Sequence, residues 1–414
     1  MKISSVIENN LCVSCGICAG VCPKKCIAST YRRGSYLPTI DEKICVNCGL
    51  CHKLCPGKSS DYLKLSAANG ETTPKNIFVG NAKVCLIAQT KLAQILAKSS
   101  SGGVVTTLVG NLLTKKIYDA AFLVDTYNYD EEIFSQKYSA DSNFTSTPKS
   151  RYLTVNHSRA VDFMIKNPDA KIILVGTPCF VQGILNVIEH FKLRRENYLL
   201  VGLFCDKTMN YHVWQHFKSF FDAENPLRKL FFRDKDADGW PGHVGLETAN
   251  RKIFMPRQFR MQMKNFFCLE RCLYCLDKLN QFADISCGDN YTGLKFPALL
   301  NPKAGTSNVI VRTNRGLEVL KKFADNFYLH EISLADIVRS QHLDKRLKNF
   351  IFGEYKSAQI GYPINVVPAE ISCEIPENPN HRLEYDSLLA QQKIGREEFF
   401  PQVAASIRLK TIRK

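Results

Sequence analysis

Residues 12–23 read CVSCGICAGVCP, and residues 45–56 read CVNCGLCHKLCP. Both stretches have the spacing C-x2-C-x2-C-x3-C-P, so this region is an internal repeat. Three thiols within seven residues can surround one iron–sulfur cube, and the x3-Pro step turns the chain so that the fourth thiol points elsewhere. Gly16 and Gly49 let the backbone approach the inorganic sulfide closely. The repeat therefore decides the fold of the N-terminal region.

The repeat predicts two [4Fe-4S] clusters with crossed ligands, as in bacterial ferredoxins. Zinc is the competing interpretation, but zinc sites use separate C-x2-C pairs rather than three thiols followed by C-P. Cys26 follows the first repeat without a partner in the pattern, and we expect it to be a small buried residue. The expected ligand sets are Cys12, Cys15, Cys18 and Cys55 for one cluster, and Cys45, Cys48, Cys51 and Cys22 for the other.

The composition fits a soluble metal-binding protein of two or three domains. The chain has 414 residues, of which 17 are cysteine, and 9 cysteines lie within residues 12–55, 8 of them at the regular spacing of the repeat. In a reducing compartment such density indicates metal ligation, because disulfides do not persist there. No apolar run is long enough to cross a bilayer, and the N-terminus lacks the apolar stretch of a signal peptide. We therefore expect a cytoplasmic protein without a transmembrane segment.

The formal charge of +16 raises the question of an anionic partner. A basic surface suits an acidic redox protein or a polyanionic coenzyme as well as nucleic acid. The Lys and Arg residues are spread along the chain, without a dense basic block that contains interleaved aromatic residues. We therefore expect no nucleic-acid partner.

After the repeat, apolar strands alternate with amphipathic helices. This alternation is typical of a largely parallel sheet that helices cover on both faces, so the predicted fold class is α/β, or α+β overall. The predicted strands lie at 83–89, 119–127, 171–179, 198–205 and 308–313, and the predicted helices lie within 99–116, 180–191 and 316–327.

The same pattern predicts the domain organisation. A small ferredoxin-like 2[4Fe-4S] domain occupies residues 1–65, and a polar linker occupies residues 66–82. A larger mixed α/β domain follows in two parts, 83–165 and 166–335. Residues 336–414 form a C-terminal extension whose structure the pattern does not predict.

Several cysteines outside the repeat have a suggestive placement. Cys179 and Cys205 both end predicted strands, where parallel sheets place their ligand sites. Cys272 and Cys275 form a C-x2-C pair, and Cys268 lies one helical turn earlier. Four thiolates from three segments could hold a third cube. The alternative is a set of buried free thiols, which is the expected state of Cys85, Cys287 and Cys373.

Two polar segments are weaker signals. The Ser-Ser-Ser-Gly-Gly stretch at 99–103 precedes a predicted helix, so its amides and hydroxyls could bind an anion or could simply cap the helix. In ADISCGDNYTG (283–293), Asp284 and Asp289 lie beside a strand end, although a turn explains this motif equally well.

Together these segments resemble the beta subunit of coenzyme F420 hydrogenase/dehydrogenase, an iron–sulfur flavoprotein family. The resemblance runs in order from about residue 12 to residue 315. It is carried by SSSGGVVTTLVGNLL (99–113), KSRY (149–152), VGTPC (175–179), GLFC (202–205), CLYCLD (272–277) and ADISCGD (283–289), together with the fused ferredoxin-type repeat that some members carry.

The resemblance implies an FAD beside a third [4Fe-4S] cluster in the larger domain. It implies Cys179, Cys205, Cys272 and Cys275 as the ligands of that cluster, and Cys268, which departs from the family's pattern, competes with Cys205 for this role. Phe180 stands where the family usually has Gln, so this loop departs from the pattern as well. The implied flavin-binding residues are Ser100, Ser101, Gly102, Gly103, Lys149, Ser150, Arg151, Tyr152, Gly176 and Thr177.

A flavin exchanges electrons in pairs or singly, whereas a cubane carries one electron at a time. A chain of cubanes that leads to FAD would therefore couple a redox partner protein, such as ferredoxin or another oxidoreductase subunit, to a two-electron small-molecule substrate. We predict an oxidoreductase, with coenzyme F420 as the first candidate substrate. The alternatives are a flavin-dependent reductase of another substrate, for example in polysaccharide biosynthesis, and a pure electron-transfer subunit of a larger complex. No catalytic side chain stands out in the sequence.

Overall fold

The computed structural model of the chain describes residues 2–69, 74, 76–144, 146–294, 301–368 and 378–397. It has a small N-terminal domain around the two cysteine repeats, followed by a larger domain that mixes helices and strands. The predicted fold class is therefore confirmed.

The strands form one large sheet and three small ones within the described residues. In chain order they are β1 (Ile27–Arg32), β2 (Ser35–Ile40), β3 (Ser60–Asp61), β4 (Val84–Thr90), β5 (Ala120–Leu123), β6 (Gln136–Tyr138), β7 (Ile172–Gly176), β8 (Tyr198–Leu203), β9 (Lys229–Asp234), β10 (His243–Glu247), β11 (Lys252–Met255), β12 (Ile285–Asp289), β13 (Ser307–Val311), β14 (Phe327–Glu331) and β15 (Asn365–Val366).

The helices range from single turns in the N-terminal domain to long helices near the C-terminus. In chain order they are α1 (Ser4–Glu8), α2 (Ile17–Val21), α3 (Leu50–Lys53), α4 (Tyr62–Ala68), α5 (Ala93–Lys98), α6 (Val104–Thr114), α7 (Ser158–Lys166), α8 (Pro178–His190), α9 (His212–Lys218), α10 (Arg257–Phe267), α11 (Asn314–Lys322), α12 (Leu334–Ser340), α13 (Lys345–Ile360) and α14 (Pro379–Arg396), with short 3-10 turns at Arg195–Asn197, Glu270–Tyr274, Pro302–Ala304 and Ala324–Asn326.

The two cysteine repeats have the same local backbone. Helix α2 begins after Gly16, which has a φ of 73°, and helix α3 begins after Gly49, which has a φ of 72°. Other residues rarely adopt this left-handed conformation, so each repeat needs its glycine at this point. Between the repeats, β1 and β2 form an antiparallel hairpin, as a segment that returns the chain requires.

The larger domain is built on an eight-stranded sheet, counted over the described residues, with the order β14-β4-β13-β12-β8-β7-β5-β6. The central strands β5, β7, β8 and β12 are parallel, whereas β6 on one side and β13, β4 and β14 on the other pair antiparallel. The prediction of a largely parallel sheet is therefore wrong at both edges. The chain reverses between β12 and β13, so the second strand returns beside the first in the opposite direction.

Helices cover both faces of the sheet, as the alternation predicts. Ile172 and Leu174 of β7 pack into one apolar cluster with α8, while Ile173 packs into another cluster with α6. Because successive residues of a strand point to opposite faces, the two clusters lie on opposite sides of the sheet.

One edge of the sheet collects the carboxyl ends of several strands. Strands β4 and β12 run in the same direction because each is antiparallel to β13. Thr90, Gly176, Leu203 and Asp289 therefore end their strands at this common edge. Parallel sheets place ligands beyond such an edge, so this is where a site is expected.

The predicted linker and the C-terminal extension both pack against the core. Helix α4 runs into the predicted linker 66–82, and Ile77 within the linker is fully buried. Strand β15 of the extension pairs in parallel with β3, which follows the second cysteine repeat. Helix α14 lies so close to α10 that a Cβ on Gly395 would come within 1.9 Å of the Phe266 carbonyl oxygen. None of the described helices has both the length and the apolar character that a membrane crossing requires.

Candidate iron–sulfur and flavin sites

The first predicted ligand set lines one cavity. Cys12, Cys15 and Cys18 from the first repeat meet Cys55 from the second around about 430 Å³ of empty space, part of it open to solvent. Burial, with the Cys55 thiol close by, raises the pKa of Cys12 to about 12. The free thiols are therefore protonated at neutral pH, and a metal centre would have to displace those protons on binding.

The second predicted set lines a cavity of nearly the same size, about 420 Å³. A fifth thiol, Cys26, shares this cavity, and its Sγ lies 3.4 Å from the Sγ of Cys22. Cys26 is buried, as expected, but the structure also makes it a neighbour of the predicted ligands. The sequence signal for this closeness was the position of Cys26, four residues after Cys22 and directly before β1. The predicted ligands around this cavity are Cys22, Cys45, Cys48 and Cys51.

The predicted third set also converges, although its members come from distant segments. Cys179 lies in the first turn of α8, Cys205 follows β8, and Cys272 lies in the 3-10 turn that ends just before Cys275. Burial, together with the nearby thiols of Cys179 and Cys275, raises the pKa of Cys205 to about 12. Cys272 likewise has Cys205 and Cys275 as close neighbours. We refer to these four residues as the third thiol group.

The spacing of these thiols differs from that of a single-ion site. Within the described ranges, no three Cys, His, Asp or Glu side chains meet closely enough to hold one metal ion. A cubane binds each thiolate through a different iron, so its ligands stand farther apart than those of a single ion. The donor set of each of the three groups is therefore suited to a [4Fe-4S] cluster.

Cys268, the competing residue, has a different environment. Its Sγ receives a hydrogen bond of 2.8 Å from the side-chain amide of Gln392 in α14. Cys268 lies near Cys272, but Cys205 is the thiol that neighbours both Cys179 and Cys275. The arrangement favours Cys205 as a member of the group and Cys268 as a structural thiol that contacts the last helix.

Asn280 sets the spacing of the two strand ends that carry Cys179 and Cys205. Its Nδ2 donates to the carbonyl oxygens of Gly176 and Leu203, at 2.9 Å and 3.2 Å. Gly202 leaves room for it, because a Cβ there would lie 2.4 Å from the Asn280 side chain. Sequence reasoning missed Asn280, whose left-handed φ of 55° is a conformation that Asn tolerates better than most residues.

Helix α13 of the C-terminal extension holds the same site from the other side. The buried Arg346 guanidinium donates to the carbonyl oxygens of Cys275 and Cys205, at 3.2 Å and 3.3 Å. Asn349 donates to the carbonyl oxygens of Cys275 and Cys272, at 2.7 Å and 3.4 Å. Sequence reasoning missed both residues because it assigned no structure to this segment.

Glu270 fastens the 3-10 turn to both C-terminal helices. Its buried carboxylate pairs with Lys356 of α13 at 2.9 Å and with Arg396 of α14 at 2.8 Å. The Tyr274 hydroxyl donates to the same carboxylate at 3.0 Å. The turn that carries Cys272 is therefore tied into a buried ionic network that crosses three elements.

The two polar motifs with implied flavin roles meet at the carboxyl edge of the sheet. The Ser100 Oγ accepts a hydrogen bond of 2.8 Å from the backbone N–H of Ser150. Gly102 is packed so tightly that a Cβ would lie 2.4 Å from the Ala88 carbonyl oxygen. Gly103, at a φ of 73°, is the N-cap of α6, and no side chain caps the helix. The capping interpretation of the serines is therefore wrong, and the first amides of α6 are available to an anion.

Other residues of the implied flavin set have local structural roles. Thr177 Oγ1 lies 3.3 Å from the Sγ of Cys179, which places it and Gly176 beside the third thiol group. Ser101 donates to the Thr306 carbonyl oxygen at 2.5 Å. Tyr152 packs edge-on against Phe232. The Arg151 guanidinium donates to the carbonyl oxygens of Thr126, Ser146, Thr147, Pro148 and Lys149, so it organises its own loop.

Three cations lie around the Ser-Gly-Gly segment. Arg233 donates to the Ser100 carbonyl oxygen at 3.2 Å and pairs with Asp289. Lys235 donates to the Leu96 carbonyl oxygen at 2.7 Å, and burial, with Arg233 and Lys149 nearby, lowers its pKa to about 8. We refer to Lys149, Arg233 and Lys235 as the cation group. Sequence reasoning missed Arg233 and Lys235. The available signal was that the two cations are two positions apart in and just after β9, a spacing that places side chains on one face of a strand.

This environment suits a phosphorylated cofactor. An uncapped helix start provides backbone N–H donors and a partial positive charge, and the cation group lies beside it, with Lys149 paired to Asp234 and Arg233 to Asp289. The diphosphate of FAD has the matching charge, and the third thiol group lies at the same edge of the sheet. The residues present therefore fit the implied flavin.

Three family profiles match the chain in the order that the sequence predicts. Residues 85–161 match the N-terminal part, and residues 169–336 the C-terminal part, of "Coenzyme F420 hydrogenase/dehydrogenase, beta subunit". The chain belongs to this beta-subunit family. Residues 11–59 of this family member match a 4Fe-4S dicluster domain, so the N-terminal repeat is an iron–sulfur domain fused to an oxidoreductase subunit.

Individual relatives agree with this assignment. The coenzyme F420 hydrogenase subunit beta of Methanococcus voltae is 23% identical over 290 residues, which are 65% of this chain and 93% of the relative. A chain of the F420-reducing [NiFe] hydrogenase complex from Methanosarcina barkeri superimposes with a TM-score of 0.51 at 18% identity, covering 70% of this chain and 97% of that one. This likeness shows that the two chains share a fold.

Proposed function

We propose that the chain is an iron–sulfur flavoprotein oxidoreductase that moves single electrons between three [4Fe-4S] clusters and FAD. The observation that carries this proposal is the convergence of the third thiol group beside the N-terminal domain. The pKa of Cys15, a member of the first cavity, is raised mainly by burial but also by nearby thiols that include Cys179. Two of the proposed clusters would therefore be neighbours across the domain boundary.

The thiols also give the three sites an order. Cys18 of the first cavity has Cys51 of the second among its neighbours, so the first cavity lies between the other two sites. The second cavity is the outermost, because Cys48 is exposed and the adjoining Ile44 and Val46 are 49% and 56% exposed. We propose that electrons from a partner protein reach the chain here. The exposed lysines at this surface, Lys24 and Lys43, suit an acidic carrier such as a ferredoxin.

At the other end of the path, the cation group and the start of α6 would hold the FAD diphosphate. Bound FAD would supply the exchange between single electrons and a hydride. The residues of this chain would position the flavin and exclude water, while Thr177 and Asn280 keep Cys179 close to the same edge. The proposed two-electron substrate is coenzyme F420 or a related molecule, because the matched relatives are named for that coenzyme.

A second candidate is a pure electron-transfer subunit without a substrate of its own. The relatives favour this alternative because they are subunits of a hydrogenase or belong to a hydrogenase complex. In both cases the 16 described cysteines, all free, favour a reducing compartment, so we propose a cytoplasmic location.

Strictly anaerobic purification of the full chain tests the proposal. We expect about twelve iron and about twelve acid-labile sulfide per chain, with about one non-covalent FAD released by heat. About eight iron would contradict the third cluster, and FMN, or a preparation that cannot be reconstituted with FAD, would contradict the flavin. Reduction of coenzyme F420 by the isolated chain with an artificial electron donor would identify an enzyme, whereas a requirement for a partner subunit would identify a relay.

A further inference from the structure

Arg271 connects the N-terminal domain to the third thiol group. The residue is 5% exposed and directly precedes Cys272. Its Nε donates to the Gly57 carbonyl oxygen and its Nη2 to the Ser60 Oγ, each at 2.9 Å. Gly57 and Ser60 follow Cys55, the last thiol of the first cavity. One side chain is therefore anchored beside both sites.

The contacts of Ser60 extend this link into the larger domain. The Ser60 Oγ donates to the Gln182 Oε1 at 2.8 Å. Gln182 lies on α8 one turn after Cys179, so the hydrogen bonds run from Arg271 through Ser60 to the helix that carries another thiol of the third group. The network joins the segment after Cys55 to the helix that carries Cys179, and it thereby fixes the separation of the two thiols.

The buried charge of Arg271 meets only neutral oxygens among its described hydrogen-bond partners. Both hydrogen bonds go to neutral oxygens, and the adjacent Glu270 pairs with Lys356 and Arg396 instead. Among the residues that the structure describes, no carboxylate forms an ion pair with Arg271. A buried charge without a partner is costly, so an uncompensated guanidinium in this position calls for a nearby negative group.

The charge of Arg271 lies beside thiols of both sites. Arg271 directly precedes Cys272 of the third thiol group, and the two oxygens that it binds belong to Gly57 and Ser60, which follow Cys55 of the first cavity. A [4Fe-4S] cluster with four thiolates is net negative, and reduction adds one further negative charge. Clusters at these two sites would supply a negative countercharge to Arg271.

We propose that Arg271 is a positioning residue that holds the first and third clusters at a fixed separation and, through its charge, raises the reduction potentials of both. The inference rests on the three-cluster chain proposed above. In the transfer between the two sites, one cluster loses one electron and the other gains it, and no bond or proton changes place. The shared guanidinium stabilises the added charge on either side of this step.

Redox titration of the anaerobically purified full chain, followed by EPR, tests the proposal. In Arg271→Gln, which removes the charge, two of the three cluster potentials should become more negative while iron content stays at about twelve per chain. The cluster of the second cavity should keep its potential and serves as an internal reference. Arg271→Lys retains the charge, so its potentials should remain near those of the unmodified chain.

Arg312 provides a matched control for the loss of a buried arginine. It is 1% exposed and donates to the Ser286 Oγ and to backbone carbonyl oxygens, but its ionisable neighbours are Asp277 and the Cys85 thiol. Arg312→Gln should therefore leave all three potentials unchanged. An equal shift of the potentials in Arg271→Gln and Arg312→Gln would overturn the specific role of Arg271.

The remaining outcomes also decide the question. Unchanged potentials in an iron-replete Arg271→Gln chain would overturn the proposal, and so would equal shifts in the Lys and Gln variants. If the Arg271→Gln chain binds less iron, its potentials no longer test the proposal. The Arg271→Lys chain then tests it alone, because its potentials must stay near those of the unmodified chain. An iron content of about eight in the unmodified chain would instead refute the third cluster itself, before any variant is made.

Discussion

The N-terminal cavities and the third thiol group are assembled in opposite ways. The cavities take their predicted ligands from two repeats of twelve residues, each shaped by its own left-handed glycine. The third group draws its thiols from three segments between Cys179 and Cys275, and their spacing depends on Asn280, Arg346 and Asn349. A local site carries its geometry in its own sequence, whereas a dispersed site takes its geometry from residues far along the chain.

The largest expected effect comes from the thiols of the dispersed site. Single Ser replacements of Cys179, Cys205, Cys272 or Cys275 should each remove about four iron per chain, because a cubane with three thiolates is held less tightly. Electron flow from a one-electron donor to FAD should slow as well. Iron analysis and stopped-flow flavin reduction measure the two effects.

The remaining cysteines provide the controls for this prediction. Cys85→Ser and Cys287→Ser should leave the iron content unchanged, since both residues are buried away from the thiol groups. Cys373 lies outside the described residues. Loss of a cluster in Cys268→Ser together with its retention in Cys205→Ser would reverse our assignment of the fourth ligand.

The local sites should lose their clusters one at a time. Cys12→Ser and Cys45→Ser should each lower iron by about four per chain without abolishing flavin binding, because the flavin residues lie in the other domain. Cys22→Ser should lose less iron, since the Cys26 thiol lies only 3.4 Å away and can take the vacant position. The comparison is a double variant in which both Cys22 and Cys26 are replaced by Ser. Equal iron in the single and double variants would show that Cys26 does not replace Cys22 as a ligand.

A remote change separates the two kinds of site most directly. Arg346→Met should lower iron by up to about four per chain, all of it from the third group, because the loops of Cys205 and Cys275 lose their shared donor. Lys348→Met is the control on the same helix, since Lys348 forms an exposed ion pair with Glu384. EPR of the reduced protein would show which cluster is lost. Loss of an N-terminal cluster would contradict the separation of the sites.

The flavin region should respond without loss of iron. Lys235→Met removes one charge of the cation group and should lower the FAD content several-fold, whereas Lys229→Met at the start of β9 should not, because Lys229 forms an exposed pair with Glu247. Gly102→Val and Gly103→Val should also reduce flavin binding, since a side chain at Gly102 would push against β4. Flavin per chain after heat release measures both, and unchanged flavin in Lys235→Met would remove the cation group from the site.

The smallest effect is expected at the outer surface. Lys24→Glu and Lys43→Glu should slow electron transfer from an acidic ferredoxin by a few-fold at low salt, and the difference should fade as ionic strength rises. Iron and flavin contents should stay constant. A rate that is independent of both charge and salt would place the partner elsewhere.

The same contrast explains which features could be predicted from the sequence. The two N-terminal ligand sets were predictable because spacing alone brings those thiols around their cavities. The strand predicted at 171–179 appears as β7 at Ile172–Gly176, because a continuous apolar run marks a strand buried on both faces. Pattern also located Cys179, Cys205, Cys272 and Cys275 and suggested a shared site, but the family resemblance was needed to imply which four thiols form it.

The features that were missed depend on contacts between distant segments. Nothing near Arg346 or Asn349 indicates that their partners are the carbonyl groups of Cys205 and Cys275. The antiparallel edges of the sheet escaped prediction because strand order depends on how the chain returns after β12. The approach of Arg233 to Ser100 joins residues 133 positions apart, which no local pattern reveals.

The last helix has a consequence for the order in which the protein is made. The two cysteine repeats leave the ribosome before the larger domain, and among the described residues Asn156 is the last in chain order that lines either cavity. Helices α13 and α14 are synthesised later, and only then do Arg346, Asn349, Lys356 and Arg396 reach the turn around Cys272. The thiols of the local sites can thus come together early in translation, whereas the third thiol group stays unfastened until α14 has been made. A ribosome that stalls before α13 would leave a nascent chain with both N-terminal cavities lined and the third thiol group without the support of these four residues.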